Sequence, residues 1–384
     1  MAVTFVFFAH GALFGTWVAR IPAVQEDLAL GEGELGLALF GATFGGLIGL
    51  SAAGWIVSRA GSRLTVRQGL PIFALVLPFL ALAPNLLLLA LALFAFGVAA
   101  GAVDVAMNAH GLEVERRRRR PILSSFHAGW SFGGLAGAAA GALAAATDVD
   151  PVPHFVLAAL VLGGTGLVAS RWTLPADADR PEHPPALARP PRRLALLGLL
   201  AFCGLFAEGA AADWSAVYLA GPLDSGAALA ALGFAAFSVA MACFRLVGDR
   251  LTTRWGPVAL IRRGGLLAGG GLAVALLVGH PATALVGFAC MGAGLAAIVP
   301  VVFRAAGTMP GVPAGVGIAA LTTVGYSAFL VGPPTIGLAA EATSLPLALG
   351  LVVVLLGGLA LFAGAAENAP DDTARASPAP LPLR

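Results

Sequence analysis

Apolar runs of about twenty residues follow one another along the chain, separated by short polar breaks such as Pro84-Asn85, Asp148-Val149-Asp150-Pro151 and Gly279-His280-Pro281. A helix that crosses a bilayer needs about 20 predominantly apolar residues. By that rule twelve spanning helices are predicted, at roughly 3–26, 34–58, 66–84, 86–113, 121–147, 152–173, 194–220, 227–251, 257–279, 281–305, 312–340 and 345–366. Two stretches depart from the pattern. Residues 174–193 are rich in proline and polar groups and read as an extended linker; residues 368–384, rich in Pro, Ala and Asp, read as a disordered tail. The predicted division is an N-terminal six-helix bundle (1–173), a linker (174–193), a C-terminal six-helix bundle (194–367) and a tail (368–384).

Composition fixes the solvent. Hydrophobic residues make up 59% and charged residues only 11%, whereas soluble domains carry about a quarter charged. With a mean hydropathy of +0.90, the fold class is all-α membrane protein. The net charge of +2 says little; its placement says more. Arginine supplies all 22 basic residues, and without lysine a P-loop or a Schiff-base nucleophile is excluded. Cys203, Cys243 and Cys290 each lie in an apolar run, as small core residues do. The first run ends at Arg20-Ile21-Pro22 without the basic start or small-residue cleavage site of a signal peptide.

Arginines collect after every second span: Arg59, Arg63 and Arg67; Arg116 to Arg120; Arg171 to Arg193; Arg250 to Arg263; and Arg304. The opposite loops carry Glu26, Asp27, Glu32, Glu34, Asp148, Asp150 and Asp224, with Arg20 alone among them. Positive residues stay in the cytoplasm, so both termini are expected there, in a multi-pass protein of the plasma (cytoplasmic) membrane. For the same reason Arg116 to Arg120 mark topology and not a nucleic-acid site.

The halves repeat. Trp17 and Gly36 match Trp214 and Gly233 at an offset of 197, Gly129-Trp130-Ser131 matches Gly325-Tyr326-Ser327 at 196, and Arg59 and Arg63 match Arg250 and Arg254 at 191. Parallel six-helix repeats mark transporters whose ligand lies between the halves near the bilayer midplane.

Twelve spans, a central linker and the segment Gly54-Trp-Ile-Val-Ser58-Arg59-Ala-Gly61-Ser62-Arg63 after the second span resemble the major facilitator superfamily over essentially the whole chain. The family's aspartate is replaced here by Ser58, whereas the second copy, Gly248-Asp249-Arg250-Leu-Thr-Thr-Arg254, keeps it. The resemblance implies a cytoplasmic gate built from Arg59, Arg63, Asp249, Arg250 and Arg254, with the second copy carrying more of it. Asp104-x-x-Met107-Asn108, Ser125-Phe-His127-x-Gly-Trp130-Ser131 and Asp213-Trp214-Ser215 resemble, more loosely, the fucose-permease-like branch.

Ionisable groups within spans face a polar interior by default and suggest function. Asp104 and Asn108, at i and i+4, share a helical face. Glu208 stands near the middle of the seventh span, a carboxyl suited to reversible protonation, with pairing to Arg245 as the structural alternative; Arg245 could also snorkel to the cytoplasm. Asp213 lies one turn further out, toward the outer gate. His127 could relay protons, though a lone helix histidine is more often structural; His10 is a weaker candidate. Trp130, Trp214, Tyr326 and Ser131 are expected to wall the substrate cavity. Gly129, Gly133, Gly137 and Gly141 form a small-residue ridge, expected to give smooth contact to moving halves.

The expected protein is a secondary transporter of a small polar solute, proton-coupled and working by alternating access as a monomer. The alternative is an efflux pump for amphipathic compounds, against which the absence of proline after Gly133 counts. An enzyme is not expected, for the chain has no HExxH, no GxSxG and no Cys/His cluster. No cofactor or metal is called for.

Overall fold

The structure, a computed structural model, describes residues 1–118, 122–174, 192–309, 312 and 314–367. Nearly all of the predicted linker, the tail, and Arg119 and Arg120 lie outside the described residues, as does the side chain of Asp249. Among the described residues the chain is helical, without a strand. The long helices are α1 (Ala2–Val18), α2 (Glu32–Ala60), α3 (Ser62–Leu82), α4 (Leu86–Arg118), α5 (Leu123–Ala146), α6 (Pro151–Trp172), α7 (Arg192–Ala220), α8 (Ala227–Gly248), α9 (Arg250–Val278), α10 (Pro281–Gly307), α11 (Ala314–Ala342) and α12 (Leu345–Ala366). Ten stretches among the described residues are long and apolar enough to cross a bilayer; α5 and α11, at 24 and 29 residues, complete the twelve. Leu87, Leu91, Leu160, Leu347 and Val354 are each more than half exposed, a surface that lipid and not water would cover.

The first predicted span is not one helix. α1 stops at Val18, and Arg20 caps a separate short helix, Ile21–Asp27, whose first turn holds Pro22. Proline is tolerated there because its missing N–H had no helical partner to lose.

The repeat extends to the backbone. Gly61, between α2 and α3, has φ 79° and ψ 159°; Gly256, early in α9, has φ 75° and ψ 164°. That region is open essentially to glycine alone, and the two positions lie 195 residues apart, close to the offset of the other matches. Packing repeats as well: α1 lies on α5 as α7 lies on α11, and α2 lies on α4 as α8 and α9 lie on α10.

Glycine permits the closest of these approaches. A Cβ on Gly41, Gly45 or Gly49 of α2 would run into the α4 backbone at Ala90, Phe94 or Val98. On α5, Gly133 and Gly137 are pressed in the same way on the α1 backbone at Phe8 and Ala12. The ridge expected to face a moving partner therefore binds α5 to α1 inside the first half. The glycine of α5 that does face the second half is Gly134, against Phe234 and Ser238 of α8.

The halves meet through α2 with α11 and α5 with α8, each pair the repeat image of the other. The first contact lies at the end of the molecule that carries the acidic loops. Gly33 N–H donates to Oε2 of Glu341 at 3.2 Å, and a Cβ on Gly36 would stand 2.7 Å from the Pro333 carbonyl oxygen. The short helix Ile21–Asp27 and the first turn of α8 pack across the halves at this same end.

Candidate functional site

The two halves share a polar cluster. Arg245 leaves α8 and turns inward, not toward a membrane surface: Nη1 donates to Ser131 Oγ of α5 at 3.0 Å, and Nη2 lies 3.9 Å from Oε1 of Glu208 on α7. Both charged side chains are 19% exposed, enough to be reached by solvent and far too little to be surface residues. Ser131 Oγ in turn donates to the His127 carbonyl at 3.3 Å. The positive charge of Arg245 bears on the His127 ring, whose edge meets Phe7 with ring centres 5.3 Å apart.

Asp104 and Asn108 share a face of α4, as their spacing requires. Asn108 Nδ2 donates to the Asp104 backbone oxygen at 2.9 Å and to Oδ1 at 3.2 Å. Tyr326, on α11, lies where the carboxylates of both Asp104 and Glu208 act on its hydroxyl. Five helices, two from the first half and three from the second, thus bring Asp104, His127, Ser131, Glu208, Arg245 and Tyr326 into one region. Asp213, one turn beyond Glu208, is partly exposed and, among the described residues, makes no hydrogen bond or ion pair.

On the acidic-loop side of Arg245 the halves touch through aromatic rings. Phe14 of α1 stands 6.0 Å from Trp130 and 5.9 Å from Phe234 of α8, edge on to the latter. Trp130 is held by His10: its Nε1 donates to His10 Nδ1 at 2.9 Å, and His10 Nε2 donates to the Ala100 carbonyl at 3.1 Å. With Nδ1 accepting, the ring is the neutral Nε2–H tautomer. His10 is thereby a tie between α1, α4 and α5, a role that its position in an apolar run did not reveal.

One expectation needs correction. Trp214 does not wall the cavity; it is fully buried. Adjacent helical residues point about 100° apart, so with Asp213 toward the open space Trp214 turns into the packing. Of the arginines expected to form a gate, Arg63 donates to the Arg171 carbonyl at 3.2 Å, within the first half, and Arg59, Arg250 and Arg254 are exposed. His110 reinforces the same tie, meeting Ser62 Oγ at 2.6 Å and accepting from Leu174 N–H at 3.0 Å. In the last turn of α4, Arg116 and Arg117 both pair with Glu113, at 2.8 and 2.6 Å.

Twelve spans in two repeated halves, with a charged cluster between them, define a membrane transporter of the kind that moves a solute between bundles. The sequence profile of the Major Facilitator Superfamily matches residues 2–333, and the chain belongs to that family. It is 36% identical over 360 residues, 93% of this chain and 95% of the relative, to an uncharacterised transporter, y4wD, of Sinorhizobium fredii. The nucleoside transporter NupG (TM-score 0.75, 12% identity) and a D-xylose-proton symporter (TM-score 0.72, 15% identity) share the fold, over 95% and 96% of this chain and 98% of each of theirs. The protein is therefore a multi-pass membrane protein and a secondary transporter acting on small molecules, not an enzyme.

Proposed function

We propose that the chain couples the movement of a small polar solute to that of protons, by exposing the cluster between its halves to each side in turn. The observation that carries this reading is Arg245, a cation of the second half bonded to Ser131 of the first and set beside Glu208. An acid and a base at mid-depth, both reachable by water, form a pair whose attraction depends on the charge of the acid. A proton on Glu208 removes that attraction and frees Arg245 to move with α8, which is one way a proton can bias the packing of two halves. Asp104, Asn108, His127, Ser131, Trp130 and Tyr326 bind the solute, with Trp214 behind the wall; Asp104, Asp213 and His127 are the further groups able to exchange protons.

The bundles are 1–173 and 194–367, joined by a cytoplasmic linker and followed by a cytoplasmic tail. The arginine bias supports a cytoplasmic location for both termini, in a monomer of the cell inner membrane. Closure at the acidic-loop end then corresponds to a form open toward the cytoplasm. Arg59, Arg63, Asp249, Arg250 and Arg254 act as the cytoplasmic gate when that side closes.

The test is solute-driven proton movement in liposomes containing the purified protein and an internal pH dye, with sugars, amino acids and nucleosides supplied in turn. A solute that alkalinises or acidifies the lumen with the parent protein should have no such effect with Glu208→Gln, although it still raises the melting temperature of that variant. Solute uptake without proton movement, or an unchanged response in Glu208→Gln, would refute the coupling.

A further inference from the structure

The end of the molecule with the acidic loops holds a second buried cation, outside the central cluster. Arg20, 5% exposed, caps the short helix Ile21–Asp27. Its Nη2 donates to the Val149 carbonyl, between α5 and α6, at 2.7 Å. Nε and Nη1 have no hydrogen-bond partner among the described residues. His154, 7% exposed in the first turn of α6, is equally short of partners, with neither ring nitrogen hydrogen-bonded among the described residues. A Cβ on Gly141 of α5 would stand 2.6 Å from Ala19 Cβ and 3.7 Å from His154 Cε1. The ring therefore sits against the α1–α5 seam at the residue before Arg20, and the Arg20 charge bears on it.

Side chains this buried and this poorly satisfied are costly to keep, and a proton on His154 would set a second cation beside the first. The other charged groups nearby are Asp150, Asp148 and Asp27, all exposed. α3, which packs on this stretch of α6, carries Arg63 and Arg67 at its opposite end. His10 of α1 is tied to Trp130 and Ala100, and His127 of α5 feels Arg245. Asp27 and Asp150 already act on the Arg20 charge. A guanidinium that swung outward would meet both of them in water and lose one bond, to Val149. The short helix that it caps packs on α7 of the second half, so this movement acts on the seal between the halves.

We propose that His154 and Arg20 form a proton-operated latch. Without the proton, Arg20 fixes the short helix against α7; with it, Arg20 is expelled and the helix is released. The latch is separate from coupling at Glu208 and does not depend on which side of the membrane this end faces.

The test uses the full chain in lipid nanodiscs, with the three native cysteines replaced by alanine. Spin labels on cysteines replacing Glu26 of the short helix and Thr343 of the second half report their separation by pulsed electron paramagnetic resonance. Between pH 8 and pH 5 the ratio of long to short distances should rise about 30-fold, as for an imidazole that titrates near its ordinary pKa of about 6.5 in one state only. His154→Phe, which keeps a ring beside Phe155, and His154→Gln should each abolish the rise. Arg20→Gln leaves the proton nothing to expel and should make the distance independent of pH, whereas Glu208→Gln should respond as the parent does. A parent distribution that ignores pH, or a response that survives the His154 variants or Arg20→Gln, would overturn the latch. So would a response lost in Glu208→Gln, which would assign the proton to the central cluster.

Discussion

Replacing Gly337 with alanine should open the molecule at its acidic-loop end. Gly337 lies on α11 where that helix crosses α2. A methyl group there would stand 2.6 Å from the Glu32 carbonyl oxygen, 2.9 Å from Gly36 Cα and 3.2 Å from Gly36 N. All three are backbone atoms of one helix, so no rotamer change can relieve the crowding. The helices must part by a few tenths of an ångström, and overpacking of this kind costs about 1–3 kcal/mol. The cost falls on the closed arrangement alone, because separated helices have room for the methyl. The closed population should therefore drop by about 5- to 150-fold relative to the open one. Spin labels on cysteines replacing Glu26 and Thr343, exposed residues of opposite halves at this end, would read the change as a longer distance by pulsed electron paramagnetic resonance. A distance distribution identical to that of the parent would refute the reasoning. So would a fall in melting temperature at unchanged distance, since the strain would then have been absorbed within α11.

Glu341→Ala should shift the same distance in the same direction but less, because it removes one hydrogen bond at the α2 N-terminus from a side chain that is largely exposed; an unchanged distribution would show that the carboxylate does not hold the seal. His10→Phe should keep the stacking on Phe73 yet strand Trp130 Nε1 and the Ala100 carbonyl. Leaving buried polar groups unpaired costs about 1–3 kcal/mol, so a melting temperature equal to the parent's would argue that water replaces the ring.

What could be read from sequence follows from what lipid demands. A bilayer sets the length of each span, so twelve apolar runs gave twelve helices. Arginine cannot be left in hydrocarbon, so its spacing marked one side. Partners across the fold were hidden, because helices that are apolar all round carry no stripe to say which face turns inward. Asp213 and Trp214 are neighbours in a run of small and apolar residues, and nothing in that run says which faces the cavity. Arg245 lies one turn from Asp249, so pairing with Glu208 and snorkelling outward were both open to it; the approach of α5 and α7 shows that it turns in. Gly129, Gly133, Gly137 and Gly141 announced a close contact, but the identity of the contacting helix depended on packing. His10 needed Trp130 and Ala100, 120 and 90 residues away, to become a tie.

The repeat also explains why the charged cluster is lopsided. At the offset of 197 that relates Trp17 to Trp214, Glu208 falls on Gly11 and Asp213 on Thr16. Gly11 is where α1 presses directly on the Trp130 carbonyl, so that even a Cβ there would collide with backbone. Thr16 is buried, its hydroxyl donating to the Ala12 carbonyl at 2.8 Å. A carboxylate could not occupy the first place without prising α1 from α5. The scaffold is thus symmetric in its contacts and asymmetric in its chemistry. The first half uses these two positions for packing, and the second uses their images to carry acids. Alternating exposure needs the symmetry, since each half must present an equivalent hinge and seal. Binding needs the asymmetry, since two identical rings of acid would repel one another across a single cavity.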